Sequence, residues 1–138
     1  MLDLIAARFS LVTYGSDSPE YVHGRRFIEA YQDARVAFVP APPIEVPNYW
    51  SNRIYLAAGT GIPCVVGWAP GLEAHYAGGS EVVYFHDSAE MLREIDLLLK
   101  SPGARARIGA AGRARTLRDH TYEARARELI ASIGGPTI

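Results

Sequence analysis

Short apolar runs and longer amphipathic stretches follow one another along this chain, which is the pattern of strands alternating with helices. Apolar runs bounded by glycine or proline predict strands at residues 9–14, 36–39, 64–67 and 81–85. Apolar residues spaced three and four apart predict helices at residues 2–7, 27–34, 48 to 59 or 61, 88 to about 100, 104–117 and 122–133. Such alternation favours parallel pairing, so we expect an α/β, Rossmann-like three-layer sandwich with a parallel sheet and a helical C-terminus.

The residues that precede several predicted helices are good helix caps. Asn48 follows a proline-rich stretch and can cap the third helix, Asp87 or Ser88 can cap the fourth, and Thr121 the last. These side chains accept hydrogen bonds from amides that the first helical turn leaves unpaired.

A parallel sheet normally opens on a strand, whereas this chain is predicted to begin inside a helix at Met1. We therefore expect that the first strand of the sheet is missing. Its place would lie between residues 9–14 and residues 36–39. Those strands would then pair directly or borrow a strand from a second copy, and an open apolar edge favours the homodimer.

Length and composition narrow the class of protein. The 138 residues suit one domain, which we expect at residues 1–133, followed by a tail at 134–138. A net charge of -1 argues against nucleic acid as the main partner. The single cysteine, Cys64, excludes an internal disulfide and a cysteine-based zinc site. No secretory signal is present, and no apolar run approaches the roughly 18 residues that span a bilayer, so we expect a cytoplasmic protein.

Candidate chemistry concentrates in residues 49–73, which predict a helix, a glycine stop, a buried strand and a sharp turn. Arg53 lies inside the predicted helix, and Glu73 lies just past the turn. In an α/β sheet, ligands bind outside the carboxyl ends of the strands. The turn from Gly67 to Glu73 is expected at such an end.

The succession of motifs along residues 8–130 resembles one family. The matching pieces are Ser51-Asn52-Arg53-Ile54-Tyr55 before Gly59-Thr60-Gly61, the turn Pro70-Gly71-Leu72-Glu73, the apolar helix 91–99, the stretch 107–113 and His120-Thr121-Tyr122-Glu123-Ala124-Arg125. In this order they resemble the C-terminal, donor-binding domain of GT-B fold glycosyltransferases, in the group-1 branch that includes spore-maturation-type proteins.

The resemblance implies transfer of a sugar from a nucleotide diphosphate sugar to an acceptor hydroxyl, with no metal or other cofactor required. In that scheme Arg53 and amides at a helix start neutralise the diphosphate. Glu73 accepts hydrogen bonds from sugar or ribose hydroxyls, and Gly71 lets the backbone approach closely. The implied substrate-binding residues are Asn48, Asn52, Arg53, Gly71 and Glu73, with Tyr14 and Gly15 lining the same cleft.

The sequence also departs from the family pattern. Retaining members usually carry a Glu-x7-Glu pair, and here those positions hold Asn48 and Leu56. Leu56 cannot bind a hydroxyl, whereas Asn48 can still bond to a sugar. The acceptor-binding N-terminal domain is missing, so this chain alone is not expected to turn over. The alternative is a non-catalytic α/β module that binds a partner or binds a nucleotide weakly.

Several of these side chains also have ordinary structural explanations. Arg53 can pack on a neighbouring aromatic ring, and Glu73 can complement a helix dipole. His75 suits a surface position, and His120 suits a structural role that ties the last helix back to the sheet. The arginines between residues 105 and 127 suit a solvated helix face, with membrane-surface attachment as the alternative.

Overall fold

The computed structural model describes residues 1–14, 21–40 and 46–134. Within them the chain is an α/β protein whose sheet has three parallel strands: β1 Ala37–Val39, β2 Cys64–Gly67 and β3 Val83–Phe85, in the order β1-β2-β3. Phe38 pairs with Val65, and Val66 pairs with Tyr84. The predicted parallel α/β fold is confirmed.

Helices account for most of the remaining described residues: α1 Leu2–Ala6, α2 Gly24–Gln32, α3 Arg53–Gly59, α4 Ser88–Lys100, α5 Pro102–Asp119 and α6 Tyr122–Ser132. Two predicted caps are confirmed. The Asp87 carboxylate accepts a hydrogen bond from the Glu90 amide at 2.8 Å, and the Thr121 hydroxyl accepts one from the Ala124 amide at 3.1 Å. No helix in the described ranges is both long and apolar enough to cross a membrane.

The strands bury both faces, so their side chains divide between two apolar clusters. One cluster joins Val39 and Val66 to Ile54 of α3. The other joins Val65 to Met91 of α4 and Ile5 of α1. Helices therefore cover the sheet on two sides, which gives three layers.

Cys64 lies in the first of these clusters with 1% of its surface exposed. Burial raises the pKa of its thiol to about 12. Cys64 therefore acts as a small buried hydrophobe, because a thiol held so strongly protonated is a poor nucleophile and a poor metal ligand.

The strand predicted at residues 9–14 is wrong. This segment has no strand pairing with the sheet, and β1 is the edge strand of the described sheet. Phe9 and Leu11 instead pack their side chains against the cluster around Val65. The apolar pattern predicted correctly that the segment packs against the core. A strand also needs a backbone partner, however, and none lies beside this segment within the described ranges. Pairing with a second copy stays a prediction.

Helix α5 crosses the sheet at the amino ends of the strands. Near its start Ile108 packs in the cluster of Val65, whereas Thr116 reaches the opposite side and bonds to the buried Tyr76 hydroxyl at 2.7 Å. At the crossing, a Cβ added to Gly109 or Gly112 would collide with the backbone carbonyls of Gly61 and Glu81 respectively. Only glycine allows this approach of helix to loop.

We predict that Gly109→Ala lowers the free energy of unfolding by about 1–3 kcal/mol, because the added methyl group forces α5 away from the Gly61 carbonyl. Chemical denaturation measures the change. Gly103→Ala is the matched control in the same helix, since nothing lies within 4 Å of its added Cβ. That variant should gain about 0.5–1 kcal/mol from lower backbone entropy in the unfolded chain. Equal effects of the two variants would contradict the close approach.

Candidate functional site

The candidate site lies at the carboxyl ends of β2 and β3. The chain leaves β2 at Gly67, and the Trp68 amide donates to the Phe85 carbonyl at 2.9 Å as the two strands end. The turn then opens the short helix predicted after Pro70 and Gly71, a 3-10 helix at Leu72–Ala74. This is the edge of an α/β sheet at which ligands bind.

The segment that precedes α3 lies along this turn. The Asn48 amide donates to the Pro70 carbonyl at 2.9 Å, and the Asn48 side chain packs against Gly71. Both residues have left-handed backbone angles, with φ of 62° and 93° respectively. We define the edge site as Asn48, Asn52, Arg53, Gly71 and Glu73, which are the predicted site residues on these two segments.

The prediction that Asn48 caps α3 is wrong. Its amide and side chain are directed to the turn, and the N-cap of the helix is Asn52, four residues later. The Asn52 side chain makes no capping hydrogen bond, but its carbonyl accepts from the Leu56 amide at 3.2 Å. A helix cap is a local interaction, and at Asn48 the contact with the turn forms instead of the cap.

Arg53 is the first residue of α3, whereas the sequence pattern predicts it in the interior of the helix. It is exposed, and its amide donates to the Ser51 hydroxyl at 3.3 Å. Within the described residues its guanidinium makes no ion pair and no ring contact, so the expected alternative of packing on an aromatic ring is not observed. The group is available to a ligand.

Glu73 is an ionised acceptor that is already partly engaged. Hydrogen bonding lowers the pKa of its carboxyl group, first from its own backbone amide and then from the Trp68 indole N–H. Trp68, with 37% of its surface exposed, donates to one Glu73 oxygen and stacks on His86 with ring centroids 5.4 Å apart. The sequence placed Trp68 at the strand end but gave no sign of its bond to Glu73.

Another predicted residue, Tyr14, does not join the edge site. Tyr14 is exposed and makes no hydrogen bond or ring contact with the described part of the chain. Because residues 9–14 form no strand, Tyr14 does not stand at a strand end. Gly15 lies outside the described residues.

The sequence analysis missed a second polar cluster behind the turn. His75 is half-buried and not a plain surface residue: its Nδ1 lies 3.0 Å from the Tyr55 hydroxyl. His120 Nε2 donates to the His75 carbonyl at 3.0 Å, which confirms the predicted structural role of His120. It ties the start of α6 to the loop between β2 and β3. These residues are 45 positions apart, so no local pattern joins them.

The arginine-rich helices carry two kinds of arginine. Several arginines form ion pairs on the surface, such as Arg118 with Asp119 at 2.8 Å and Arg127 with Glu123 at 3.6 Å, as expected of a solvated face. Arg115, which pairs with Asp119, also donates to the carbonyls of His75 and Ala74, at 3.0 and 2.8 Å. These groups line an open cleft of about 490 Å³ between α5, α6 and the turn.

Comparison with known proteins points in one direction. The sequence model of a family described as glycosyl transferase-like matches residues 2–131. No curated protein is similar enough to count as a match. The matched range includes both segments of the edge site.

We predict that Gly71→Ala lowers the free energy of unfolding more than Gly79→Ala does. Both glycines have positive φ, so alanine costs about 1–2 kcal/mol in backbone strain at either position. Only at Gly71 does the new Cβ also collide with the Asn48 side chain, whereas nothing lies within 4 Å at Gly79. Thermal and chemical denaturation of the two variants measure the difference. Equal losses would mean that Asn48 does not pack on the turn.

Proposed function

The chain belongs to the glycosyl transferase-like family, and from that premise we propose that it binds the nucleotide diphosphate sugar donor of a glycosyl transfer reaction. The acceptor would bind to a separate domain, with the sugar passing to an acceptor hydroxyl. Residues 1–133 would form the donor-binding unit. The single observation that carries the proposal is the contact of Asn48, in the segment that leads into Arg53 and α3, with Pro70 and Gly71 of the turn at the carboxyl edge of the sheet.

Arg53 supports the diphosphate part of the proposal. A pyrophosphate needs a cation, and a guanidinium can bind two of its oxygens at once. The 3-10 helix has only three residues, too few for a helix dipole of useful size. The positive charge at the edge site therefore comes from Arg53. As the bond to the sugar breaks, this charge would stabilise the leaving diphosphate.

Glu73 and Asn48 support the sugar part of the proposal. Glu73 is ionised, and the oxygen that Trp68 does not engage can accept from a hydroxyl. Asn48 has an exposed amide side chain beside Gly71, and an amide both donates to and accepts from sugar hydroxyls. A carboxylate repels phosphate, so we place the diphosphate nearer Arg53 and the sugar nearer Glu73.

Leu56 favours a second candidate function, a module that keeps the fold but binds a partner or a nucleotide weakly. It stands where the resembling enzymes carry the second glutamate of the Glu-x7-Glu pair. It is 47% exposed and lines an apolar groove of about 500 Å³ between α2 and α3, together with Phe27 and Ile28. An apolar side chain there offers ribose no hydrogen bond.

We predict that UDP or GDP binds with a dissociation constant in the micromolar to millimolar range, because the edge site is open to solvent. Arg53→Ala should weaken this binding at least about tenfold, since a charge-assisted hydrogen bond contributes about 1.5–3 kcal/mol. Calorimetry or ligand-observed NMR with UDP, GDP and ADP measures both effects. No binding of any of the three at millimolar concentration would refute the donor-site proposal.

The control for Arg53 must be an arginine with no structural partner. Arg105 is unsuitable because it donates to the carbonyls of Leu98 and Leu99 at the end of α4. Arg107 is exposed on α5, the helix that crosses the opposite end of the strands. Arg107→Ala should leave nucleotide binding unchanged. Equal losses in the two variants would indicate a general charge effect and not a site.

We predict that Leu56→Glu strengthens nucleotide binding about tenfold by restoring a ribose acceptor. Because Leu56 is half exposed, the free energy of unfolding should change by no more than about 0.5 kcal/mol. Ile28→Glu is the matched control, since Ile28 has the same 47% exposure and lines the same groove. Strengthening by both carboxylates, or by neither, would place the ribose elsewhere. Titration calorimetry with UDP distinguishes these results.

A further inference from the structure

Two histidines and one arginine form a closed set of contacts behind the edge site. The Arg125 guanidinium donates from Nη2 to His120 Nδ1 at 2.8 Å, and the same nitrogen lies 3.2 Å from His75 Nδ1. The two imidazole rings stack with centroids 5.2 Å apart. We call His75, His120 and Arg125 the histidine clamp.

The hydrogen bonds fix the protonation state of the clamp. A guanidinium only donates, so the Nδ1 atom that faces Arg125 in each histidine must be an unprotonated acceptor. His120 then carries its proton on Nε2, which donates to the His75 carbonyl at 3.0 Å. The Tyr55 hydroxyl accepts from the Trp50 indole at 2.8 Å and lies 3.0 Å from His75 Nδ1, whose single lone pair it shares with Arg125. Both imidazoles are therefore neutral.

On one side the clamp holds α6, which has little else to keep it in place. No residue of α6 is buried; its large apolar side chains Tyr122 and Leu129 are exposed, and Ile130 is half-buried. Arg125 of α6 bonds to His75, outside the C-terminal helices. A helix without buried side chains gains little stability from packing, so this contact contributes much of the attachment of α6 to the rest of the protein.

On the other side the clamp holds the downstream end of the edge-site turn. The His75 carbonyl accepts from His120 Nε2 and from Arg115 Nε, each at 3.0 Å. Arg115 also bonds to the carbonyl of Ala74, the last residue of the 3-10 helix. That helix follows Gly71 directly and contains Glu73.

We propose that His75, His120 and Arg125 position the Gly71–Glu73 turn, and that this clamp closes only while both imidazoles are neutral. His75 and His120 are then positioning residues for the edge site, and acid opens the clamp and frees α6. The effect on nucleotide binding rests on the proposed function, whereas the effect on α6 does not.

The charges around the clamp oppose protonation. The titratable and charged groups that face the two histidines are Tyr55 from α3, Tyr76 from the loop, Arg115 and Asp119 from α5, and Arg125 and Glu128 from α6. Each carboxylate is already paired with an arginine, Asp119 with Arg115 at 3.0 Å and Glu128 with Arg125 at 2.7 Å. A protonated imidazole would therefore stand beside two cations without a carboxylate of its own.

The direction of the pH effect follows from these surroundings. Burial, and next the neighbouring His120, Arg125 and Arg115, lower the pKa of His75 below its ordinary value near 6.5, and burial also lowers the pKa of His120. The unfolded or opened chain then binds protons more readily than the closed clamp. The stabilisation is complete above about pH 6.5 and is lost as the pH falls below that value.

Hydrogen exchange with peptide-level mass spectrometry tests the proposal without any ligand. After correction for the intrinsic exchange rate, we expect protection of α6 and of residues 68–75 to fall severalfold between pH 7.5 and pH 5.5. Arg125→Gln should show the low protection at both pH values. Arg127→Gln is the control, because Arg127 lies on the same helix and pairs outward with Glu123. It should behave like the unmodified chain. Unchanged protection between the two pH values would overturn the proposal.

NMR titration of the unmodified protein gives an independent answer if Arg125→Gln does not fold. Both imidazoles should titrate below 6.5, with the α6 amide resonances moving at the same midpoint. Titration of either ring at or above 6.5 would overturn the proposal. The UDP affinities of the unmodified chain and of Arg125→Gln are then compared at each pH, which tests the link between the clamp and the turn. Because both proteins are measured at the same pH, the titration of UDP itself cancels. An exchange effect without binding of UDP, GDP or ADP would refute the proposed function and leave the clamp intact.

Discussion

The close approach of α5 to the amino ends of the strands is the constraint on which the rest of the structure depends. Gly109 and Gly112 bring the helix against the carbonyls of Gly61 and Glu81, and no side chain fits between them. This contact sets where α5 emerges on the side of the sheet covered by α3. It thereby places Arg115 and His120 within reach of the His75 carbonyl.

As a result, different kinds of contact hold the structure at the two ends of the sheet. At the amino ends, apolar packing and glycine contacts fix α5, with the buried Tyr76–Thr116 hydrogen bond at 2.7 Å. At the carboxyl ends, the turn is held by polar contacts from both directions: the Asn48 amide bonds to Pro70, and Arg115 bonds to Ala74. Hydrogen bonds are directional, so they fix the backbone of a turn more closely than apolar contacts do.

Interactions between residues close in the sequence made part of the fold predictable. Asp87 and Thr121 were identified as caps because a cap depends on the next three residues alone, and the apolar run of β2 was enough to predict a buried strand. The errors concern interactions between distant residues. Residues 9–14 were predicted as a strand but lack a backbone partner among the described residues, and Asn48 was predicted as a cap but bonds to Pro70. The edge-site residues were predicted through a family resemblance, and the family match confirms that resemblance.

The histidine clamp could not be predicted from the sequence, because it too depends on contacts between distant residues. Each of its members has an ordinary role when considered alone, and the arrangement exists only because α5 and the turn meet. Its neutral histidines also explain a feature of the arginine-rich C-terminus: Arg125 pairs with Glu128 and still has Nη2 free to bond to both imidazoles. A lysine at this position could not fill both roles with one planar group. The charge pattern of α6 thus depends on the fold around it as much as on solvation.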